Sequence, residues 1–157
     1  MTIKRVGILG SGIMGSGIAE VAAKTGHEVV LRSRKQETAD AMVASLTKSL
    51  AKQVERGKLS EEDRDATLAR VTATDHIGAV ADCDLVIESV VEDMDVKKAL
   101  FTELDGIVKD GAILATNTST LSVIDMAVAT QRPDKVVGVH FFNPAPMMSL
   151  VEIVRPL

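Results

Sequence analysis

The sequence contains no tryptophan and no tyrosine, and only three phenylalanines, one cysteine and four prolines among 157 residues. Each scarcity excludes something. With few aromatic platforms, no basic stripe and a formal net charge of −4, the chain lacks the equipment for gripping a phosphodiester backbone or stacking bases, so nucleic acid is not an expected partner. A Tyr-Lys proton relay is impossible. Cys83 alone can neither close an internal disulfide nor supply a cysteine-rich zinc site, so no metal is expected and a reducing cytoplasm fits. No apolar run reaches bilayer length, and glycines at 7, 10, 12, 15 and 17 interrupt the stretch that follows Lys4 and Arg5. Neither a membrane span nor a targeting signal is expected.

What remains is 46% hydrophobic and 25% charged, the balance of one globular domain spanning residues 1–157. Ile3 to Leu9 reads as a buried strand running into a glycine turn, Ile13 to Lys24 as a helix stopped at Gly26, and Glu28 to Leu31 as a second strand. Residues 37 to 56 lack Gly and Pro and repeat apolar side chains at Met42, Leu46 and Leu50, which predicts an amphipathic helix. Ser60 followed by Glu61, Glu62 and Asp63 predicts an N-cap with an acidic first turn. A helical pair over about 37–70 should therefore extend from the sheet. Apolar runs at Val71 to Ala73, Leu85 to Val91, Ala112 to Ala115 and Val136 to Phe142 alternate with helical or turn-like stretches near 95–106 and 121–129. That alternation predicts a doubly wound α/β domain, Rossmann-type, with a mostly parallel sheet. Leu150 to Val154, reached through Pro144 and Pro146, should return as a hairpin partner of the preceding strand.

Gly10-Ser11-Gly12-Ile13-Met14-Gly15 has the spacing G-x-G-x-x-G at a strand-to-helix junction. Gly10 suits the tight turn, Gly12 the approach of a pyrophosphate, and Gly15 close helix-on-strand packing, while the helix N-terminus offers N–H groups to the anion. A dinucleotide site follows. Where NAD enzymes usually place a ribose-binding carboxylate, this chain has Ser33, flanked by Arg32, Arg34 and Lys35. Cations and a small hydroxyl suit a 2′-phosphate, so NADP is preferred over NAD, with Glu37 close enough to keep NAD open.

His27 and His76 sit in turns, whereas His140 ends an apolar strand, either satisfied in the core or facing the cleft. Glu152 lies twelve residues on, on a strand where a buried carboxylate needs a partner. Paired, the carboxylate fixes the imidazole tautomer and frees the other nitrogen to take a proton. Asn117, Thr118, Ser119 and Thr120 follow another strand and either hold a reacting oxygen or cap the next helix, with Thr120 or Ser122 as the capping candidates.

Together, Gly-Ser-Gly-Ile-Met-Gly-Ser-Gly-Ile-Ala, Ile-Glu-Ser-Val-Val-Glu-Asp, Asn-Thr-Ser-Thr-Leu and His-Phe-Phe-Asn-Pro-Ala-Pro-Met resemble the 3-hydroxyacyl-CoA dehydrogenases over essentially the whole chain. The resemblance implies His140 as catalytic base, Glu152 as its orienting partner and Ser119 on the substrate oxygen. It also implies Glu92, Lys97, Asn117 and Asn143 along the nicotinamide half of the cofactor. The helical pair resembles the family's arm, which implies that Ser45, Ser49, Lys52 and Arg56 on one helical face meet the phosphates of coenzyme A in a short-chain acyl-CoA substrate. A helical second domain that completes the cleft and forms a homodimer also belongs to the family. The chain is expected to end before it, and so to bind dinucleotide but turn over poorly. Two alternatives remain: a β-hydroxyacid dehydrogenase on the same scaffold, against which His-Phe-Phe-Asn-Pro speaks, and a non-catalytic dinucleotide-binding protein.

Overall fold

The strands form in chain order β1 (Arg5–Leu9), β2 (Glu28–Arg32), β3 (Val71–Thr74), β4 (Leu85–Glu88), β5 (Ile113–Thr116), β6 (Val136–Phe141) and β7 (Val151–Val154). In this computed structural model, which describes residues 2–156, they make one sheet in the order β3-β2-β1-β4-β5-β6-β7. Met1 and Leu157, the ends of the expected domain, lie outside the described residues. All neighbouring pairs are parallel except β6 with β7, which is antiparallel. The strand order reverses beside β1, and that is where a doubly wound sheet opens a crevice for ligands.

Among the described residues five helices cover the sheet: α1 (Ile13–Lys24), α2 (Gln36–Glu55), α3 (Glu61–Ala69), α4 (Met94–Asp105) and α5 (Val123–Ala127). Short 3₁₀ turns at Ile77–Val80 and Pro133–Lys135 carry no apolar period long enough to have been read from the sequence. Local chemistry sets the helix ends. The Ser60 hydroxyl accepts the Asp63 N–H at 3.0 Å and the Asp93 carboxylate accepts the Val96 N–H at 3.0 Å, so each satisfies a donor that the first turn leaves open.

Two cores lie on opposite faces of the sheet. Ile8, Ile18, Leu31 and Met42 pack on the α1 and α2 side, and Phe101, Leu104, Leu114 and Met126 on the α4 and α5 side. The apolar stripe of α2 is buried at Ala39, Met42, Leu46 and Leu50 against α1 and β3. The helical pair therefore folds back onto the domain where the sequence suggested that it extends away. Truncating Leu50 to Ala in such a stripe costs about 2–5 kcal/mol.

The bottom of the sheet, at the N-terminal ends of the strands, is fastened by Asp84. Its Oδ2 accepts the N–H groups of Lys4 and Arg5 at 2.8 and 2.9 Å, and its Oδ1 lies 2.7 Å from Lys109 Nζ. The Lys109 ammonium, followed by the two backbone donors, holds this carboxyl well below the usual aspartate range.

Candidate active site

The Gly10–Gly15 loop joins β1 to α1 as the glycine spacing predicted. At Gly10 φ is +130°, and a Cβ there would stand 2.2 Å from the Ser89 carbonyl oxygen. At Gly15 a Cβ would stand 2.6 Å from the Gly10 carbonyl oxygen. Both positions require the missing side chain. Gly12 has open space in front of its Cα, which is what a close ligand needs. The first intrahelical bond of α1 runs from Ser16 N–H to Gly12 O, leaving the preceding N–H groups without helical partners and favourable to an anion.

Beside the loop lies a cleft of about 720 Å³. Gly10, Gly12, Arg32, Ser33 and Arg34 line it as expected. Ser33 is buried, and its N–H donates to Thr74 O. The guanidinium of Arg32 donates through Nε to Asp75 O at 3.2 Å, whereas Arg34 is exposed and forms no ion pair among the described residues. The far wall, unread in the sequence, is Val90 and Val91 after β4 with Val96, Ala99 and Leu100 of α4. These alternate along α4 with core residues, so only tertiary packing shows which face looks into the cleft. Ile13 faces the opposite side of the loop, and Met14 packs into the core beneath it.

Past this cleft a chain of polar contacts crosses the C-terminal ends of β4 and β5. Glu88 and Lys97 are 0% and 1% exposed, and Lys97 Nζ donates to both Glu88 oxygens at 2.8 Å. The same ammonium sits 3.0 Å from Glu92 Oε2. Thr116 donates a short hydrogen bond to Glu88, and Thr118 Oγ1 donates to Glu92 at 2.5 Å. Burial acting alone would raise the Glu92 carboxyl, but hydrogen bonds from Thr118 and Lys97 outweigh it and hold it below the usual range. Lys97 is thus enclosed between two carboxylates. The expectation of a lysine lining the cofactor gives way to one that anchors Glu92.

The turn after β5 is fixed by that chain. Ser119 is exposed with its N–H 3.4 Å from Glu92 Oε1. Asn117 Oδ1 accepts the Phe141 N–H at 2.8 Å, tying this turn to β6 next to His140. The Thr118 hydroxyl accepts the Leu121 N–H at 3.1 Å and so closes the turn before α5; Ser122 occupies the N-cap of α5 but makes no side-chain cap, and Thr120 is exposed in the turn.

His140 and Glu152 are register partners on β6 and β7, and Nδ1 lies 2.9 Å from Glu152 Oε2. The imidazole is 19% exposed and the carboxylate 54%. Glu152 is therefore not the buried acid that its apolar neighbours suggested, because β7 is an edge strand. The pairing holds for a different reason: the hairpin register sets the two side chains opposite each other. Phe142 packs against the ring at a centroid distance of 4.6 Å, and Asn143 is exposed at the following turn. Ser45 and Ser49 line a second, smaller groove, while Lys52 and the α2 C-cap Arg56 are exposed outside it.

Comparison with known proteins agrees with this geometry. A profile of the 3-hydroxyacyl-CoA dehydrogenase NAD binding domain matches residues 5–156. The chain belongs to that family. A 3-hydroxybutyryl-CoA dehydrogenase of Clostridioides difficile is 47% identical over 150 residues, covering 96% of this chain and 53% of that protein. One from Mycobacterium tuberculosis is 46% identical over 160 residues, covering 99% of this chain and 54% of the relative. Among solved structures, the 3-hydroxybutyryl-CoA dehydrogenase of Escherichia coli superposes with a TM-score of 0.95 at 42% identity, over 98% of this chain and 32% of that one. The (S)-3-hydroxybutyryl-CoA dehydrogenase of Ralstonia eutropha gives 0.96 at 38% identity, over 99% of this chain and 55% of its own. The chain thus spans about half the length of the curated relatives that it matches. The family match brings with it a nicotinamide dinucleotide as cofactor. No helix among the described residues is long and apolar enough to cross a membrane, and no cluster of metal-binding side chains occurs among them.

Proposed function

We propose that this domain, residues 1–157, serves an oxidoreductase that moves hydride between a nicotinamide cofactor and C3 of a short-chain 3-hydroxyacyl-CoA, such as the 3-hydroxybutyryl-CoA and acetoacetyl-CoA pair. The observation that carries this reading is the His140–Glu152 contact at 2.9 Å, on the strand pair β6–β7, which β4 and β5 separate from the glycine loop that follows β1. The cofactor, when bound, supplies the hydride acceptor or donor. His140 takes the proton of the substrate hydroxyl at Nε2, because Nδ1 is held by the carboxylate, and Glu152 stabilises the imidazolium that results. Ser119 holds the reacting oxygen. Glu92, anchored by Lys97, and Asn117 with Asn143 border the nicotinamide end, with the other half of the longer relatives completing the cleft and forming a homodimer.

In a chain that also carries the other half of the relatives' length, His140→Gln is expected to lower acetoacetyl-CoA-dependent oxidation of reduced cofactor by about 10²–10⁴-fold while cofactor affinity stays constant. Equal turnover by both proteins overturns the reading.

Within the same proposal, the cofactor carries a 2′-phosphate. Ser33 brings no carboxylate to the end of β2, and Arg34 stands exposed at the rim, in no ion pair among the described residues. Separate titrations with NADPH and NADH should favour NADPH; a clear advantage for NADH refutes it.

A further inference from the structure

β6 outruns its neighbour. Its parallel register with β5 ends where Thr116 stands opposite Gly138, yet the strand continues to Phe141. Val139, His140 and Phe141 therefore project past the last β5 residue that could receive them. The Phe141 N–H is turned toward β5, and hence away from β7 on the other side. β5 has no carbonyl left at that level. The acceptor is instead the side chain of Asn117, whose Oδ1 takes this N–H at 2.8 Å. Because the partner is a donor, the oxygen end of the amide is the one that must face it.

Asn117 is itself firmly seated. Its backbone N–H donates to Glu88 O at 3.0 Å, so one residue reaches β4 through its main chain and β6 through its side chain. The residues on either side of it are pinned as well: buried Thr116 donates to Glu88, and buried Thr118 donates to Glu92. An acceptor locked in such a frame can locate what it holds. Ser119 follows Asn117 by two residues, and His140 precedes Phe141 by one. The bond between Asn117 and Phe141 is thus a direct link between the turn that carries Ser119 and the strand that carries His140.

We infer that Asn117 is a positioning residue for His140: its amide oxygen replaces the β5 backbone at the end of β6 and so sets the separation between the imidazole and Ser119. The inference rests on the dehydrogenase reading, and it gives Asn117 a task beyond bordering the nicotinamide. Without the acceptor, a half-buried N–H loses its partner and the end of β6 keeps only β7, the outermost strand, as a ladder neighbour. His140 and Glu152 would stay paired, because their register lies with β7, but the pair would shift as a unit relative to Ser119. Chemistry is sensitive to such a shift, since a misplacement of about 1 Å can cost about a hundredfold in rate. Dinucleotide binding draws on the glycine loop and the larger cleft, which this bond does not touch.

The test joins turnover in a chain that also carries the other half of the relatives' length to amide exchange at Phe141. Asn117→Ala should lower kcat for acetoacetyl-CoA reduction about ten- to hundredfold, leave KM for reduced cofactor and thioester close to the parent's, and release the Phe141 N–H to exchange. Asn117→Asp keeps an acceptor oxygen but gives up the amide donor, so it should protect Phe141 and recover most of the lost kcat. A side chain that served only to bind the cofactor through its N–H₂ would behave otherwise, raising KM for the dinucleotide in both variants. Asn117→Ser, whose hydroxyl is too short to reach the N–H, carries the test if Asn117→Ala does not fold. Parental kcat in Asn117→Ala, a loss confined to KM, or an aspartate variant that protects Phe141 yet turns over no faster than the alanine one would each overturn the inference. Those failures arise with His140-dependent turnover intact in the longer parent; its absence removes the dehydrogenase reading, and the inference with it.

Discussion

The two clefts flanking the Gly10–Gly15 loop share Ser11 and Gly12 at its tip and little else. The larger carries Arg32 and Arg34 at one end, and the smaller has a single buried acid and no cation. One stretch of backbone thus separates a region suited to phosphate from one hostile to it. The contrast is electrostatic more than geometric, because both are walled by helices with apolar faces.

The comparison can be broken most forcefully at Lys97. Removing one member of a buried ion pair leaves a stranded charge, which costs about 3–5 kcal/mol. Glu88 also accepts the Val90 N–H at 3.1 Å, and Val90 lines the larger cleft. Lys97→Met should therefore lower stability in urea and weaken dinucleotide binding in a fluorescence titration of protein that remains folded. Unchanged dinucleotide affinity in folded protein would mean that the Glu88–Lys97 pair does not shape the larger cleft.

Arg34→Glu sharpens the contrast by giving the larger cleft a charge like that of the smaller. NADPH affinity should drop about 10–100-fold, the scale of a lost charge-assisted hydrogen bond of ~1.5–3 kcal/mol, while NADH changes less. Ser33→Asp should move the preference in the same direction.

Asp84 provides the distant control. Asp84→Asn, at the opposite end of the strands, should cost about 1–3 kcal/mol of stability and leave dinucleotide binding as before. The sign with pH follows from the depressed carboxyl. Its contribution is complete above the unfolded aspartate value near pH 4 and is lost as pH falls below that. The parent should consequently lose stability on acidification more steeply than the variant in thermal melts across that window.

Much of this architecture was legible because it is periodic or local. The helix at Ile13–Lys24 came directly from spacing and the glycine stop, and the return of β7 came from two prolines between apolar runs. The phosphate loop was readable because backbone geometry dictates its residues. The two buried carboxylates were not. Glu20 sits on a helix where acids usually face water, and its partners Ser49 and Gln53 lie 29 and 33 residues away. Glu88 ends a strand, and its partners Lys97 and Thr116 lie 9 and 28 residues on. Nothing local marks such groups, because their solvation is replaced by tertiary contacts. Glu152 teaches the converse: the right partner was found from an incorrect premise about burial, since hairpin register alone set the pair.

That register places the acid on the outermost strand, where all four residues are exposed and only one neighbour holds them. Edge segments of this kind open at a smaller free-energy cost than the molecule as a whole. The tautomer of the ring is then only as secure as a terminal ribbon, so warming should unpair the imidazole well before the central sheet dissolves. Amide exchange at Val151–Val154 would report that opening.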